Sequence, residues 1–266
     1  MTQIPGSVEP TPTSRSSVPS GVTIPAGRVT LPRTLHHLKQ RWGLEAATPV
    51  WINELGGLTF RFEVNGTTNY LKWSPHHPEL DLEREAQRLT WAARYIRVPQ
   101  VIDFGSDSEG TWLRTEGLPG ESAVSPRWLR DPRKAVRAIG IGLRTLHDHL
   151  PVADCPFSWS LETRFDWIKR EENRSLVDEA PPIDQLVVCH GDACAPNTLL
   201  DDHGKFLAVV DLGRLGVADR WADLAVATYS LSWNFSGDWE DELLDAYRID
   251  RDDGRIEYYR RLWDAT

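Results

Sequence analysis

CHGDACAPNTLLDDHGKFLAVVDLG, residues 189–213, is the stretch on which the reading of this chain turns. Asp192 and Asn197 lie five residues apart in one short loop, and a further aspartate, Asp211, follows fourteen residues beyond Asn197. The apolar run ahead of the loop, QLVVC, reads as a short strand. TLLDDHGKFLAVVDLG reads as a hairpin that ends in Asp211-Leu212-Gly213. His-Gly-Asp alone is an ordinary turn. The weight lies in the spaced pair read together with a strand-borne Asp-x-Gly.

One carboxylate to accept a hydroxyl proton, with an amide oxygen and a second carboxylate to hold Mg²⁺, is the set that phosphoryl transfer needs. Asp192, Asn197 and Asp211 supply it in that order. Cys189, His190 and Cys194 also suggest zinc, but a fourth ligand at metal spacing is missing. Cys189 is read as the end of a buried strand and Cys194 as loop packing.

Such a site also needs a cation for the nucleotide phosphates. Upstream, Thr59–Val64 alternates apolar and polar residues, Asn65-Gly66 reads as a hairpin turn, and NYLKWS returns as a strand carrying Lys72. The helix expected next, with Pro78 near its start, puts Leu82, Ala86, Leu89 and Ala93 on one face. Glu85, beside that stripe, is the expected partner of Lys72, with Glu83 as the rival. Gly56-Gly57, between the first two strands, allows backbone to approach a phosphate, and equally suits a plain hairpin. The Gly140-Gly142 pair lacks the third glycine of a dinucleotide motif and reads as helix packing.

Further along, VPQVIDFGSDSEGTWLRTEG reads as two strands, and PGESA as a linker. A helix capped by Asp131 with Pro132 at its first position ends near His147 and His149, which suit a helix C-terminus. Further helices are expected over Leu161–Val177, Asp223–Trp233, Glu240–Tyr247 and Gly254–Trp263. Residues 1–28, half of them Pro, Ser or Thr, read as a flexible tail. The expected organisation is that tail, a nucleotide-binding lobe over 29–117, and a catalytic and substrate-binding lobe over 118–266. The fold class is α+β: a protein-kinase-like, two-lobed fold with a small β-rich N-terminal lobe and a larger, mainly helical C-terminal lobe.

The bulk properties agree with this. The chain has 266 residues, 26% of them charged, and a formal charge of −9, which disfavours nucleic acid and anionic membranes as partners. Three cysteines do not make a disulfide framework, and neither a signal peptide nor an apolar span of membrane length is seen. A reduced, cytoplasmic protein is therefore expected. Most of the twelve tryptophans are assigned to the core. The sequence says nothing of oligomeric state.

VVCHGDACAPNTLL, VVDLGRLGVADRWADLAVAT and LRTLHDHLPVADCPF resemble the aminoglycoside phosphotransferases, in particular the 3′-phosphotransferase branch. The resemblance implies ATP-dependent, Mg²⁺-assisted transfer to a hydroxyl of an aminoglycoside, inactivating the drug, with GTP as a possible donor. It makes Asp192 the catalytic aspartate, Asn197 and Asp211 the Mg²⁺ ligands, and Lys72, held by Glu85, the phosphate contact. Asp223 becomes a structural carboxylate. Arg214 and Arg220 resemble arginines on the substrate side, and Asp264 and the terminal carboxylate of Thr266 would bind the drug's amines. From Gly237 onward there are ten acidic residues against five arginines, which suits a polycation. Between CPFSWS and VVCHGD the chain is shorter than the familiar 3′ enzymes. The acidic residues there, Glu162 and Asp166 among them, are candidates for the drug side. Two alternatives stay open: a kinase of another amino sugar or a choline-like alcohol, and a non-catalytic binding protein of the same fold.

Overall fold

A computed structural model describes residues 32–43, 47–53, 55–77, 80–165, 168, 175–176 and 179–266. Five strands, β1 (Thr48–Ile52), β2 (Leu58–Val64), β3 (Thr67–Pro75), β4 (Val101–Ser106) and β5 (Gly110–Glu116), form one antiparallel sheet in the order β1-β2-β3-β5-β4. The Asn65-Gly66 turn sets the β2–β3 register, so Phe60 faces Leu71 and Thr59 faces Lys72. Both turn residues have positive φ, 51° and 79°, as a two-residue hairpin requires.

The side-chain period of two gives the sheet two different faces. Leu58, Phe60, Phe62, Leu71 and Trp73 pack on one face against Leu35 and Leu38 of helix α1 (Arg33–Trp42). Lys72 and Leu113, paired across β3 and β5, belong to the other face. There helix α2 (Leu82–Ala92) lays down Leu82, Ala86 and Leu89. Truncating a side chain as enclosed as Leu71, 1% exposed, costs about 2–5 kcal/mol. Asp81 caps α2 by accepting from the Arg84 N–H, and Ala93 at its end is exposed rather than part of the apolar face.

The larger lobe is built on α3 (Pro132–His149), capped by Asp131. The expected linker is not plain coil. Glu121–Ser122 forms β6, which pairs with β8 (Thr198–Leu200), itself paired with β9 (Phe206–Val209). The strand before the loop, β7 (Leu186–Cys189), pairs with β10 (Gly216–Asp219), a strand absent from the sequence reading. Helices α4 (Leu161–Phe165), α5 (Trp221–Asn234), α6 (Glu240–Tyr247) and α7 (Asp253–Ala265) complete the described α-helices. Gly140 and Gly142 lie where a Cβ would come within 2.5 Å of the Leu243 carbonyl oxygen on α6 and 2.6 Å of the Phe206 ring on β9. The 1–28 tail, Pro78, and Asp166 with most of the 161–177 helix lie outside the described residues. No described helix is long and apolar enough to cross a membrane.

One apolar cluster fixes the cleft. Leu82, Ala86 and Leu89 of α2 and Leu113 of β5 pack with Val188, Val209, Leu212 and Leu215 of the larger lobe. Leu212 is fully buried there, so its chain neighbour Asp211 is brought to the foot of α2.

Candidate active site

Lys72 projects from the central strand β3 toward α2, where its Nζ lies 2.7 Å from Glu85 Oε1 and 3.0 Å from Asp211 Oδ1. Glu85 is on the buried side of α2, whereas Glu83 is exposed, which settles the choice between the two in favour of Glu85. Burial alone pushes the Lys72 ammonium down, but Asp211 and Glu85 more than offset it and hold its pKa above the ordinary lysine value. Burial pushes the Glu85 carboxyl up, with Lys72 pulling against it. Asp211 stays below the usual carboxylate range: Lys72 is the main cause, with smaller help from His190 and Arg214, against burial. Its side chain is 48% exposed, so it faces the open side of the cluster.

Asp211 has φ +64°, a left-handed conformation that an aspartate seldom adopts. The turn around it is held from both sides. Val210 N–H donates to the Asn197 carbonyl at 3.0 Å, and the Val210 carbonyl bonds His190 Nε2 at 2.9 Å. The loop bearing Asp192 and the Asp211 turn are thus tied through one residue. Asn197 Nδ2 donates to the Asp192 carbonyl at 2.9 Å, which fixes the amide and leaves its Oδ1 as the free acceptor end. Gly191 has φ +81°, and a Cβ there would come 2.1 Å from the Arg214 carbonyl oxygen, so only glycine permits this approach.

Asp192 Oδ1 is buried with no hydrogen-bond partner among the described residues. Buried polar atoms are nearly always paired, and an orphan on a tightly anchored loop marks a place for a ligand. Burial and then the charge of Asp192 push the neighbouring Cys194 thiol well up.

The loop is anchored from beneath by Asp223, at the start of α5. Its carboxylate accepts the N–H groups of His190 (2.6 Å) and Gly191 (2.9 Å) and bonds His147 Nε2 (3.0 Å). His147 Nδ1 bonds the Tyr247 hydroxyl at 2.8 Å. His147 therefore belongs to a buried network, not to the helix-end electrostatics expected from its position on α3. His147, Cys189 and Asp223 lie close enough to suggest a metal cluster. Both His147 nitrogens and both Asp223 oxygens are already committed to protein partners.

The residues expected on the substrate side divide. Arg214 packs over the rings of Trp159 (5.5 Å) and Trp263 (5.2 Å). Trp159 leads into α4, whose exposed Glu162 is held below the usual carboxylate range by Ser160. Trp263 adjoins the exposed Asp264. The Thr266 side chain is buried, its hydroxyl accepting from Arg164 Nη2 at 2.9 Å and donating to the Leu262 carbonyl. Arg220 does not join this group. It pairs with Asp184 at 2.6 Å and with Gln185 at the Leu186 end of β7, a strand length of roughly 10 Å from the catalytic loop at the Cys189 end. Gly56 (φ +82°) and Gly57 do form a tight turn, but Asn53 already holds both amides, through its carbonyl and its Oδ1 respectively. Many of the C-terminal acids are likewise committed: Arg251 holds Glu240, Asp241 and Asp253, and Arg255 holds Asp252.

Oxygen ligands from one amide and one half-exposed carboxylate suit Mg²⁺ better than a soft metal. The residues present fit that ion, and Asn197 and Asp211 would hold it.

Residues 55–261 match the phosphotransferase enzyme family. An aminoglycoside 3'-phosphotransferase of Streptomyces ribosidificus is 37% identical, across 66% of this chain and 77% of the relative. Another from Streptomyces fradiae is 34% identical, across 79% and 92%. Among solved structures, aminoglycoside phosphotransferase APH(3'')-Id from Streptomyces rimosus superposes with TM-score 0.72 at 30% identity, covering 88% of this chain and 97% of the other. The same enzyme has also been solved in complex with ADP and streptomycin. With the fold, the Lys72–Glu85–Asp211 cluster and the anchored Asp192 loop all in this setting, the chain belongs to the phosphotransferase enzyme family, among the aminoglycoside phosphotransferases.

Proposed function

We propose that the chain transfers the γ-phosphoryl group of ATP to a hydroxyl of an aminoglycoside, at the 3' position, and so inactivates the drug. The observation that carries the reading is the buried Asp192 Oδ1, which has no hydrogen-bond partner among the described residues and is presented by a loop whose His190 and Gly191 amides are held by Asp223. Asp192 accepts the hydroxyl proton as the acceptor oxygen bonds to phosphorus; the bond from phosphorus to the bridging oxygen breaks, and ADP leaves. Lys72, steadied by Glu85, meets the nucleotide phosphates. Asn197 and Asp211 hold Mg²⁺, which when bound supplies charge to the transferring phosphates. Lys72 sits between Glu85 and Asp211 with 26% of its side chain exposed, a position from which it can exchange the Asp211 contact for phosphate. Glu162 and Asp264 lie on the elements that flank Arg214 and supply negative charge for a cationic sugar, and Asp166 follows on the same segment.

Formation of ADP from ATP is to be assayed across a panel of aminoglycosides, with the product's phosphate located by NMR. The wild type should turn over 3'-hydroxyl drugs, and Asp192→Ala should lose about 10²–10⁴-fold. No turnover on any drug, or full activity in Asp192→Ala, overturns the reading. The resemblance to the Streptomyces rimosus enzyme favours one second reading, phosphorylation of streptomycin at 3''. The same NMR experiment separates the two.

A further inference from the structure

Arg214 stands at a junction of four segments. Its backbone is the wall against which Gly191 lies, one residue before Asp192. Asp211 precedes it by three residues. Its guanidinium lies over two indole rings, Trp159 at 5.5 Å and Trp263 at 5.2 Å, and these rings are only 3% and 9% exposed.

The two rings come from distant parts of the chain. The Trp159 backbone is fixed by its amide N–H to the Val217 carbonyl at 3.0 Å, which adds its segment to the edge of β10. Trp263 comes from α7. A second arginine, Arg164, lies over the same Trp159 ring at 4.8 Å and is itself buried, tied to Thr266. Burial and then the like charge of Arg214 lower the pKa of Arg164 to about 10. Two guanidinium groups on one ring repel, and Arg164 is the one enclosed. Arg214 is the one whose own backbone lies against Gly191, at the Asp192 loop. A planar guanidinium between aromatic faces loses much of its freedom, which a lysine or an unstacked arginine would keep.

We propose that Trp159 and Trp263 are positioning residues that clamp Arg214 beside the Asp192 loop and the Asp211 turn, so that α7 helps to set the charge seen by the bound nucleotide. This rests on the phosphotransferase reading of the site and names residues that serve it without touching substrate. The aromatic clamp acts through Arg214 alone, so its loss and the loss of Arg214 should not add.

The test is a double-mutant cycle over Trp263→Leu and Arg214→Ala, read in Mg-ATP affinity by calorimetry, which needs no acceptor, and in kcat with an aminoglycoside. Arg214→Ala should weaken Mg-ATP about tenfold and Trp263→Leu about fivefold, with the double variant within about twofold of Arg214→Ala. Trp263→Phe, which keeps an aromatic face, should stay within about twofold of wild type. The same cycle with Trp159→Phe serves if Trp263→Leu does not fold, with a smaller loss that likewise vanishes when Arg214 is already alanine. Losses that multiply, or a Trp263→Leu protein that melts lower but binds Mg-ATP as wild type does, overturn the clamp. Non-additive losses in a protein that phosphorylates no aminoglycoside would sink the proposed acceptor and leave the clamp standing. Additive losses in an active enzyme would do the reverse.

Discussion

Asp211 and Asp223 are twelve residues apart, and both pair with a cationic or imidazole side chain and lie beside the same loop. Their surroundings differ in one decisive respect. Asp223 is fully buried, and its two oxygens serve three donors: the His190 and Gly191 amides and His147. Asp211 is about half exposed, held in a left-handed backbone conformation, and shares Lys72 with Glu85. A saturated carboxylate fixes geometry, whereas a half-satisfied one at the cleft has capacity left for a ligand. The difference separates the residue that holds the loop from the residue that works beside it, although the sequence shows only two aspartates.

The largest expected effect tests that division directly. Asp211→Asn keeps the shape and removes the charge. Turnover should fall about a thousandfold if Asp211 holds Mg²⁺ as proposed, since several kcal/mol of charge stabilisation are then lost. The melting temperature should move by no more than about 2 °C. Retained turnover with a large drop in melting temperature would reverse the roles assigned to the two aspartates.

Asp223→Asn should do the opposite. Its amide cannot accept from three donors, so buried N–H groups are left facing another N–H. A loss of about 3 kcal/mol is expected in urea unfolding. An unchanged unfolding midpoint would mean that the loop is held by other contacts.

The pH dependence sharpens the same contrast. Burial opposes it, but the hydrogen bonds from His147 and Gly191 hold the Asp223 carboxyl below its ordinary value. A carboxylate depressed in the folded state contributes its full stabilisation above the unfolded value, near pH 4, and loses it as the pH falls through the folded value. Wild-type stability should therefore drop steeply below about pH 4, and Asp223→Asn should flatten that acid limb. An equally steep limb in the variant would assign acid unfolding to other carboxylates.

Much of this was legible in the sequence, for physical reasons. The Asp192–Asn197–Asp211 spacing survives because a loop and a hairpin are local structures. Lys72 is legible as a lysine on the return strand of a hairpin and Glu85 as a neighbour of the helical stripe, and the fold brings the two within 2.7 Å. Helix α1 was missed although Pro32 before it and Gly43 after it, at φ 64°, are the usual boundary signals. Strand β10 was missed because Gly216–Asp219 carries no alternation, and its pairing with β7 is a long-range fact. For the same reason sequence alone did not show what His147 reaches. Its partners Asp223 and Tyr247 lie 76 and 100 residues away.

Arg220 shows the limit from the other side. In sequence it stands six residues after Arg214, and resemblance put both at the substrate. In the fold β10 carries the chain away between them. Arg220 ends against Asp184, where its hydrogen bond is the main cause that holds that carboxyl low. Asp184 also accepts from the Trp221 indole at 2.9 Å, so the pair pins the start of α5 rather than bordering the cleft. Arg220→Ala should cost about 1 kcal/mol of stability, the scale of a partly exposed ion pair. KM for the aminoglycoside and for ATP should stay at wild-type values, because the side-chain bonds described for Arg220 go to Asp184 and Gln185 rather than to Lys72, Asp211, Trp159 or Trp263. A several-fold rise in the aminoglycoside KM with unchanged stability would return Arg220 to the substrate side. The drug would then have to extend along β10 as far as the first turn of α5.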